Sequence, residues 1–217
     1  MDTSKDPTLP FKVLHFIWYN RYAAHVYGQG EEPPPQSSNK KGRKKKKTNS
    51  SQRIPHGSKD LQKHPVQYCL LQQIYAPVFS WIDAKIQKHF PKIHQELLEF
   101  ANTLPLNDVS VASPFTGFVI NMNVSTLIHR DWQDHHLCVV TVISDCVGGE
   151  LVLQEPGLVL QLRSGDMVIF PSARISHFNL HFHGERGSLV CHSDRHFLSW
   201  TQKERNKWAH NTLFRSS

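Results

Sequence analysis

Two histidines and one aspartate in the second half of the chain have the types and spacing of metal ligands. His129 and Asp131 are separated by one residue, and His177 lies 46 positions after Asp131. Residues two apart in a β-strand point to the same side, so the first pair presents an imidazole and a carboxylate to one point. A second imidazole from a later strand completes three ligands on one face. Such a set leaves coordination positions open for substrate and dioxygen, which favours Fe(II) over a closed structural zinc site.

An arginine beyond the second histidine is the candidate for binding an organic acid. An iron centre that activates dioxygen needs two extra electrons, which 2-oxoglutarate supplies in one large group of enzymes. The far carboxylate of that acid needs a fixed cation, for which a bidentate arginine is best suited. Arg186 lies nine residues after His177 and starts a predicted strand, and Ser188 shares its strand face. Asn121 and Asn179 either reach the co-substrate or make ladder and turn hydrogen bonds.

Each of these assignments has an alternative of the same residue type. A surface histidine and a turn aspartate are the alternative interpretation of His129 and Asp131. The polar cluster at 134–136 either lines the mouth of the site or forms a solvated loop, and we favour the loop. The alternatives to His177 are His181, His183 and His192. The alternatives to Arg186 are Arg174 and Arg195.

The hydrophobic pattern around these residues predicts helices followed by many short strands. Residues 66–103 have apolar positions spaced by three and four, which predicts a supporting helical layer in which Pro77 kinks or splits the first helix. Between 109 and 194, β-rich runs alternate with turn signals at short intervals, which is typical of a barrel or jelly roll. Residues 197–208 predict a short C-terminal helix. We therefore expect a mainly β domain over 64–217 with flanking helices.

The N-terminal part of the chain differs in character. Residues 1–30 contain an aromatic-rich stretch at 11–28 that predicts a short helix ending at Gly28. The net charge of the chain is +7, yet residues 40–63 alone carry ten basic residues and one acidic residue, so the rest has a net charge of −2. Because the segment 31–63 has few large apolar residues, we expect a disordered basic linker. Its run Lys40–Lys47 is a candidate for nuclear import or nucleic-acid contact, with a merely solubilising tail as the alternative.

Composition excludes several classes of protein. No apolar run reaches the roughly 18 residues of a membrane helix, and the first 20 residues lack the basic start and long apolar stretch of a secretory signal. The four cysteines form no C-x-x-C pair, which argues against a zinc ribbon or a disulfide scaffold. We therefore expect an intracellular protein, not secreted and with no membrane partner, and the basic run favours the nucleus.

Three phrases of the chain resemble the Fe(II)/2-oxoglutarate-dependent dioxygenase superfamily. They are FTGFVINMNVSTLIHRDWQDHHLCVV, GGELVLQEPGLVLQLRSGDMVIFPS and ISHFNLHFHGERGSLVCHSD, between about residues 114 and 194. The second and third look most like the TET/JBP-like and prolyl-4-hydroxylase-like branches. The resemblance implies a double-stranded β-helix core, with His129, Asp131 and His177 as iron ligands and Arg186 as the 2-oxoglutarate anchor. It also implies dioxygen as co-substrate and ascorbate as an accessory reductant.

The substrate remains open at this level. The TET/JBP-like resemblance and the basic run suggest a 5-methylpyrimidine in nucleic acid, whereas the prolyl-hydroxylase-like resemblance suggests a peptide. A small molecule, a cupin-type metal protein that does not use 2-oxoglutarate, and an inactive jelly roll tethered to nucleic acid are further alternatives. Fold analogy alone does not choose among them.

Overall fold

The computed structural model describes residues 12–19, 55–104 and 110–201. Eleven strands and four helices lie within these ranges. In chain order they are β1 (Lys12–Tyr19), β2 (His56–Gly57), α1 (Lys59–Lys63), α2 (Pro65–His89), α3 (Pro91–Ala101), β3 (Gly117–Met122), β4 (Cys138–Ser144), β5 (Val147–Gly148), β6 (Leu151–Leu153), β7 (Leu158–Leu160), β8 (Met167–Phe170), β9 (His177–Asn179), β10 (Phe182–His183), β11 (Arg186–Cys191) and α4 (Phe197–Thr201).

Two antiparallel sheets make the core of the domain. The larger has the strand order β2-β1-β3-β11-β4-β8, the smaller has the order β7-β6-β9, and β10 pairs separately with β5. Leu151 and Leu153 of the smaller sheet pack against Cys138 and Phe170 of the larger one. Strands distant in sequence are therefore neighbours in space, as in a jelly roll. The predicted mainly β architecture with a double-stranded β-helix core and flanking helices is confirmed.

Alternation along β11 separates the interior of the jelly roll from its helical layer. Arg186, Ser188 and Val190 line an internal cavity of about 560 Å³. Leu189 and Cys191 point the other way and are 1% exposed, within the core beneath the helices. The period of two in a strand is thus what carries polar groups into the cavity and apolar groups into the core.

Helices α2 and α3 cover the outer face of the larger sheet. Each begins with a proline at its first turn, where the missing N–H is not needed. Pro77 lies inside α2 and does not end it, since the helix runs from 65 to 89. Buried side chains of both helices pack against the sheet, namely Phe79, Ile82, Ile86 and Leu97 with Phe118, Val139 and Leu189. This layer thus packs on the face of the larger sheet that is opposite the cavity.

The prediction of a helix at 11–28 is wrong over the residues that the structure describes. Residues 12–19 form β1, which pairs in antiparallel register with β3 from Lys12 opposite Met122 to Ile17 opposite Gly117. β-Branched and aromatic residues favour a strand, and pairing with β3 stabilises it, whereas a short helix without tertiary packing is only marginally stable. Leu14 and Phe16 pack on the helical side, whereas Val13 and His15 line the cavity.

The end of the predicted linker is also ordered. His56 and Gly57 pair with β1, and Ser58 caps α1 by accepting a hydrogen bond from the backbone N–H of Leu61 at 3.2 Å. The prediction of a disordered linker over 31–63 is therefore wrong at 55–63, because the chain there adds a strand to the sheet edge and then forms α1. Residues 31–54, the run Lys40–Lys47, and positions 202–208 of the predicted C-terminal helix lie outside the described residues; α4 covers 197–201.

Helices within the described residues do not combine the length and apolar character that crossing a membrane requires.

Replacing Phe16 with alanine tests whether β1 belongs to the core. The side chain is 1% exposed and packs against Phe118 with ring centroids 5.4 Å apart. We expect Phe16→Ala to lower the free energy of unfolding by about 3–5 kcal/mol, measured by urea denaturation. Lys12→Ala, at an exposed position of the same strand, is the matched control and should have little effect. Equal and small effects for both variants would contradict the docking of β1.

Candidate metal centre

Backbone pairing brings the two candidate histidines together. His129 and His177 form an isolated antiparallel bridge in which each N–H donates to the other carbonyl, at 3.1 and 2.9 Å. His177 begins β9, and His129 lies on the segment between β3 and β4. Their ring centroids are 4.4 Å apart. Residues separated by nearly fifty positions thus become direct cross-strand neighbours, whose side chains lie on the same face.

Backbone carbonyls orient both imidazole rings. His129 Nδ1 lies 2.9 Å from the carbonyl oxygen of Leu127, and His177 Nδ1 lies 3.0 Å from that of Ile175. Because a carbonyl oxygen only accepts, Nδ1 is the donor in both rings and the lone pair of a neutral imidazole is on Nε2. The Nε2 atoms are therefore the available ligand atoms, held in place as metal-binding histidines usually are.

The carboxylate of Asp131 faces both of these nitrogens. Its oxygens lie 3.9 Å from His129 Nε2 and 3.4 Å from His177 Nε2. The backbone N–H of Asp131 donates to the carbonyl of Ser172 at 3.1 Å, which fixes the residue against the end of β8. One ligand atom from each of the three residues lies within 4.8 Å of the others, a spacing that suits a single ion. The structure therefore brings the predicted trio together.

Burial and charge act in opposite directions on this trio. Burial raises the pKa of the Asp131 carboxyl, but the hydrogen bond and charge of His177 outweigh it, and the pKa lies below its usual value. Burial lowers the pKa of His177, but the hydrogen bonds to Asp131 and to the carbonyl of Ile175 leave it above its ordinary value. Because metal binding needs the neutral imidazole and the ionised carboxylate, a divalent cation would take the place of a proton on His177.

The trio opens onto the internal cavity. The side chain of His177 is 11% exposed, whereas those of His129 and Asp131 are 39% and 45% exposed. All three line the cavity of about 560 Å³, as do Arg186 and Ser188. A volume of this size suits a small organic molecule next to the ligands.

Arg186 supplies a buried positive charge in the same cavity. The residue is 5% exposed, and burial lowers the pKa of its guanidinium. No carboxylate of the described residues forms an ion pair with it. Its backbone N–H donates to the side-chain oxygen of Asn123 at 2.9 Å. A buried cation without an acidic partner is costly unless an anion binds beside it.

The other predicted cofactor-binding residues also line this cavity. Asn121 on β3 donates from its side-chain amide to the hydroxyl of Ser188 at 3.3 Å. Asn179 on β9 donates to the carbonyl of Gly149 at 3.2 Å. A side chain at Gly149 would lie 3.1 Å from Arg186 Cδ, so the absence of one leaves room for the arginine. Both asparagines therefore hold the framework and keep a polar face towards the cavity.

The preferred interpretation of 134–136 as a solvated loop is wrong for its first two residues. Asp134 and His135 are 6% and 8% exposed. Asp134 accepts a hydrogen bond from the Ser172 hydroxyl at 2.6 Å, and its other oxygen lies 2.7 Å from His192 Nδ1. His192 also lines the cavity. The signal in the sequence was the alternation from Arg186 through Ser188 to His192, which places all three on one strand face.

A network of hydrogen bonds connects the segment that carries His129 to the segment that carries His177. Arg130 Nε donates to the Ser176 hydroxyl at 2.8 Å, and Arg130 also pairs with Glu155. Glu155 accepts from the hydroxyl and the N–H of Ser176 at 2.7 and 2.6 Å. The hydrogen bonds from Ser176 lower the pKa of Glu155 to about 2, so this carboxylate stays ionised. Because Arg130 follows His129 and Ser176 precedes His177, the network holds both ligand backbones in register.

Of the competing residues, His192 lines the cavity but pairs with Asp134 and not with the trio, and the other four do not line it. His181 and His183 form a ring pair with centroids 4.7 Å apart next to β10, and neither lines the cavity. Arg174 is exposed on the turn after β8, and Arg195 donates to the carbonyl of Trp132 at 3.0 Å. The arrangement favours His177 and Arg186 over these alternatives.

Comparison with known proteins gives independent information on the fold. No protein-family model and no curated protein matches this sequence. The solved structure described as NgTET1 in complex with 5mC DNA is similar with a TM-score of 0.55 and 16% identity, over 66% of this chain and 56% of that chain. The present chain thus spans little more than half the length of that structure. At this identity the likeness supports the jelly-roll fold.

Two further solved structures match smaller parts of the chain. An oxidoreductase of the 2OG-Fe(II) oxygenase family from Burkholderia pseudomallei has 25% identity and a TM-score of 0.32, over 36% of this chain and 43% of that chain. An RmlC-like cupin protein from Desulfovibrio desulfuricans has 13% identity and a TM-score of 0.26, over 34% and 71%. Fold and site together define a jelly-roll protein with a 2-His-1-carboxylate donor set.

Removal of Asp131 tests whether this donor set holds a metal ion. We expect Asp131→Ala to bind one equivalent of Fe(II) fewer than the unmutated protein under anaerobic titration, because two imidazoles alone hold the ion weakly. His183→Ala is the matched control, since this exposed histidine lies outside the cavity, and it should bind as the unmutated protein does. Equal Fe(II) stoichiometry in the Asp131→Ala and unmutated proteins would contradict the site.

Proposed function

We propose that this chain is an Fe(II)- and 2-oxoglutarate-dependent dioxygenase that hydroxylates a C–H bond. The observation that carries the proposal is one cavity lined both by the trio His129, Asp131 and His177 and by a buried guanidinium that has no acidic partner in the described part of the chain. A cupin-type protein that does not use 2-oxoglutarate would have no need for this charge. An inactive jelly roll would have no need for the open trio.

The donor set fits Fe(II) by its chemistry. Two neutral imidazoles and one carboxylate on a single face satisfy half of an octahedral sphere and leave the remainder to exchangeable ligands. Leu127 and Ile175 fix the ring orientations through their carbonyls, so little reorganisation accompanies binding. Asp131 supplies the negative charge that offsets the cation.

The cavity fits 2-oxoglutarate by its charge. Arg186 is the only group among those proposed for this acid that carries a full positive charge, and its planar fork suits a carboxylate. Ser188 lies two residues further on the same strand face and offers a hydroxyl to the same carboxylate. Asn121, which already contacts Ser188, sets the orientation of that hydroxyl.

In this mechanism the protein supplies position, charge and exclusion of water. When bound, iron would activate dioxygen with two electrons from 2-oxoglutarate, which would become succinate and CO2; one oxygen atom of dioxygen would enter succinate and the other the C–H bond. Arg186 sets the distance of 2-oxoglutarate from the trio. Val140, Val190 and Leu151 give the cavity an apolar lining that limits water beside the reacting groups. We include ascorbate as an accessory reductant for the enzyme.

For the substrate we propose a 5-methylpyrimidine in nucleic acid. Trp132 is 61% exposed at the rim of the cavity, and the Arg130 guanidinium lies 5.2 Å from its ring centroid. An exposed indole beside a cation suits a base that has left its stack and a phosphate next to it. The similar NgTET1 structure is described as a complex with 5mC DNA. The basic run Lys40–Lys47 adds a sequence-independent attraction to nucleic acid and a signal for nuclear import.

Turnover tests the enzyme and the role of Arg186 together. We expect Fe(II)-dependent release of succinate from 2-oxoglutarate, abolished by Asp131→Ala. Arg186→Ala should raise the 2-oxoglutarate concentration for half-maximal rate by at least about 100-fold, as expected from a buried charge-assisted bidentate contact, and change the Fe(II) affinity little. Arg174→Ala, an exposed arginine, is the matched control. Equal losses of 2-oxoglutarate and Fe(II) affinity in Arg186→Ala would contradict the assignment.

Mass spectrometry identifies the substrate class. After incubation with Fe(II), ascorbate and 2-oxoglutarate, we expect a gain of one oxygen atom in 5-methylcytosine-containing DNA or RNA. Trp132→Ala should reduce this gain while leaving succinate release without substrate unchanged, because the indole lies at the rim. Oxygen gained only by a proline-containing peptide would replace nucleic acid with the alternative substrate. Salt-sensitive DNA binding with no succinate release would support the inactive jelly roll.

A further inference from the structure

A second cluster of ligand-type side chains lies outside the iron-binding trio. It joins Glu96 of α3 to His135 and His136, which precede β4. His136 Nε2 lies 2.7 Å from Glu96 Oε2, and His135 Nε2 lies 3.6 Å from the same oxygen. One ligand atom from each residue lies within 4.8 Å of the others. The cavity described above is not lined by any of the three.

His135 has a buried ring nitrogen that the protein leaves without a hydrogen bond. The residue is 8% exposed, and among the described residues its Nε2 has no hydrogen-bond partner. Its 3.6 Å separation from Glu96 is too long for a hydrogen bond. A buried polar atom in this condition costs free energy, so it calls for a ligand that the protein itself does not supply.

The backbone turns both adjacent histidines towards the same carboxylate. His136 has a φ of 60°, in the left-handed region that residues other than glycine rarely adopt. The two rings lie with centroids 3.9 Å apart, although neighbouring residues of an extended chain point in opposite directions. This backbone conformation is strained, and it is what brings the two imidazoles to one point.

We propose that Glu96, His135 and His136 form a second metal site, which takes Zn(II) and ties α3 to the loop before β4. Two imidazoles, one carboxylate and a water from the exposed side complete a tetrahedral sphere. The side chain of Glu96 is 54% exposed, which leaves the fourth position open to solvent. The site is independent of the proposed oxygenase reaction.

The protonation states of the three groups agree with this assignment. Burial lowers the pKa of His135 to about 4, so its ring is neutral at physiological pH. The hydrogen bond from His136 holds the pKa of the Glu96 carboxyl below its usual value, so this group is ionised. Metal ligands must be deprotonated, and His135 and Glu96 already meet this requirement at physiological pH.

The site would fasten the helical layer to the loop of the iron-binding trio. Glu96 lies on α3, whose Leu97 is in the core beneath the larger sheet. Asp134, next to His135, donates its N–H to the carbonyl of Asp131 at 2.8 Å, and His135 donates its N–H to that of Ser193 at 2.8 Å. A metal ion on His135 and His136 therefore restrains the loop four residues beyond Asp131.

Zn(II) titration of the full, untagged chain tests the proposal. The background is Asp131→Ala, in which the first site is lost. We expect this protein to bind one Zn(II) per chain and the ion to raise its melting temperature. Adding His136→Ala or Glu96→Gln should weaken that binding by at least about 100-fold and remove the thermal shift, since each removes a ligand. Co(II) in place of Zn(II) should give the strong visible absorption of a tetrahedral site.

Glu99→Gln, an exposed glutamate on the same helix, is the matched control and should leave Zn(II) binding and the thermal shift unchanged. Glu96→Gln and His136→Ala alter partly exposed side chains, so both variants should fold, which circular dichroism checks. Loss of Zn(II) binding in Glu96→Gln but not in Glu99→Gln supports the site. Failure of the Asp131→Ala background to bind Zn(II), or equal binding by all variants, overturns it.

Discussion

The antiparallel bridge between His129 and His177 is the interaction on which the rest of the site depends. Two reciprocal backbone hydrogen bonds place the imidazoles side by side, and the carbonyls of Leu127 and Ile175 then set the direction of each ring. The N–H of Asp131, the third member of the trio, is held by the carbonyl of Ser172. Since main-chain contacts do this work, the geometry of the ligands is set by the packing of the two sheets.

The second constraint is electrostatic. A guanidinium that is 5% exposed, without a carboxylate to pair with among the described residues, leaves the cavity with an unbalanced positive charge. The anionic trio residue Asp131 lines the same cavity and is committed to His177. In the proposed complex the metal ion would offset the charge of Asp131, and the far carboxylate of an organic acid bound to that ion would offset the charge of Arg186. The charge pattern of the cavity is therefore complementary to a dicarboxylate with a metal-chelating end.

The loop 129–137 connects the sheets around the cavity to the helical layer. One of its ends pairs with β9 beside the cavity, its middle is held by Ser172 and His192 through Asp134, and its far end meets α3 through Glu96. Each contact uses a polar side chain on an otherwise apolar framework. A loop so held has few alternative conformations, which is what a preorganised ligand set requires. Helices that the sequence suggested as mere support thus reach the loop that carries the site.

Spacing and residue type alone determined the donor trio, the arginine, the mainly β core and the two supporting helices, because strand period and helical period are local properties. Tertiary structure decided what local pattern does not encode. It made residues 12–19 a strand through pairing with β3, since the hydrogen bonds come from a segment a hundred residues away. It also buried Asp134 and His135 and brought Glu96 to His136, because proximity across layers depends on how sheets and helices pack, which no single segment specifies.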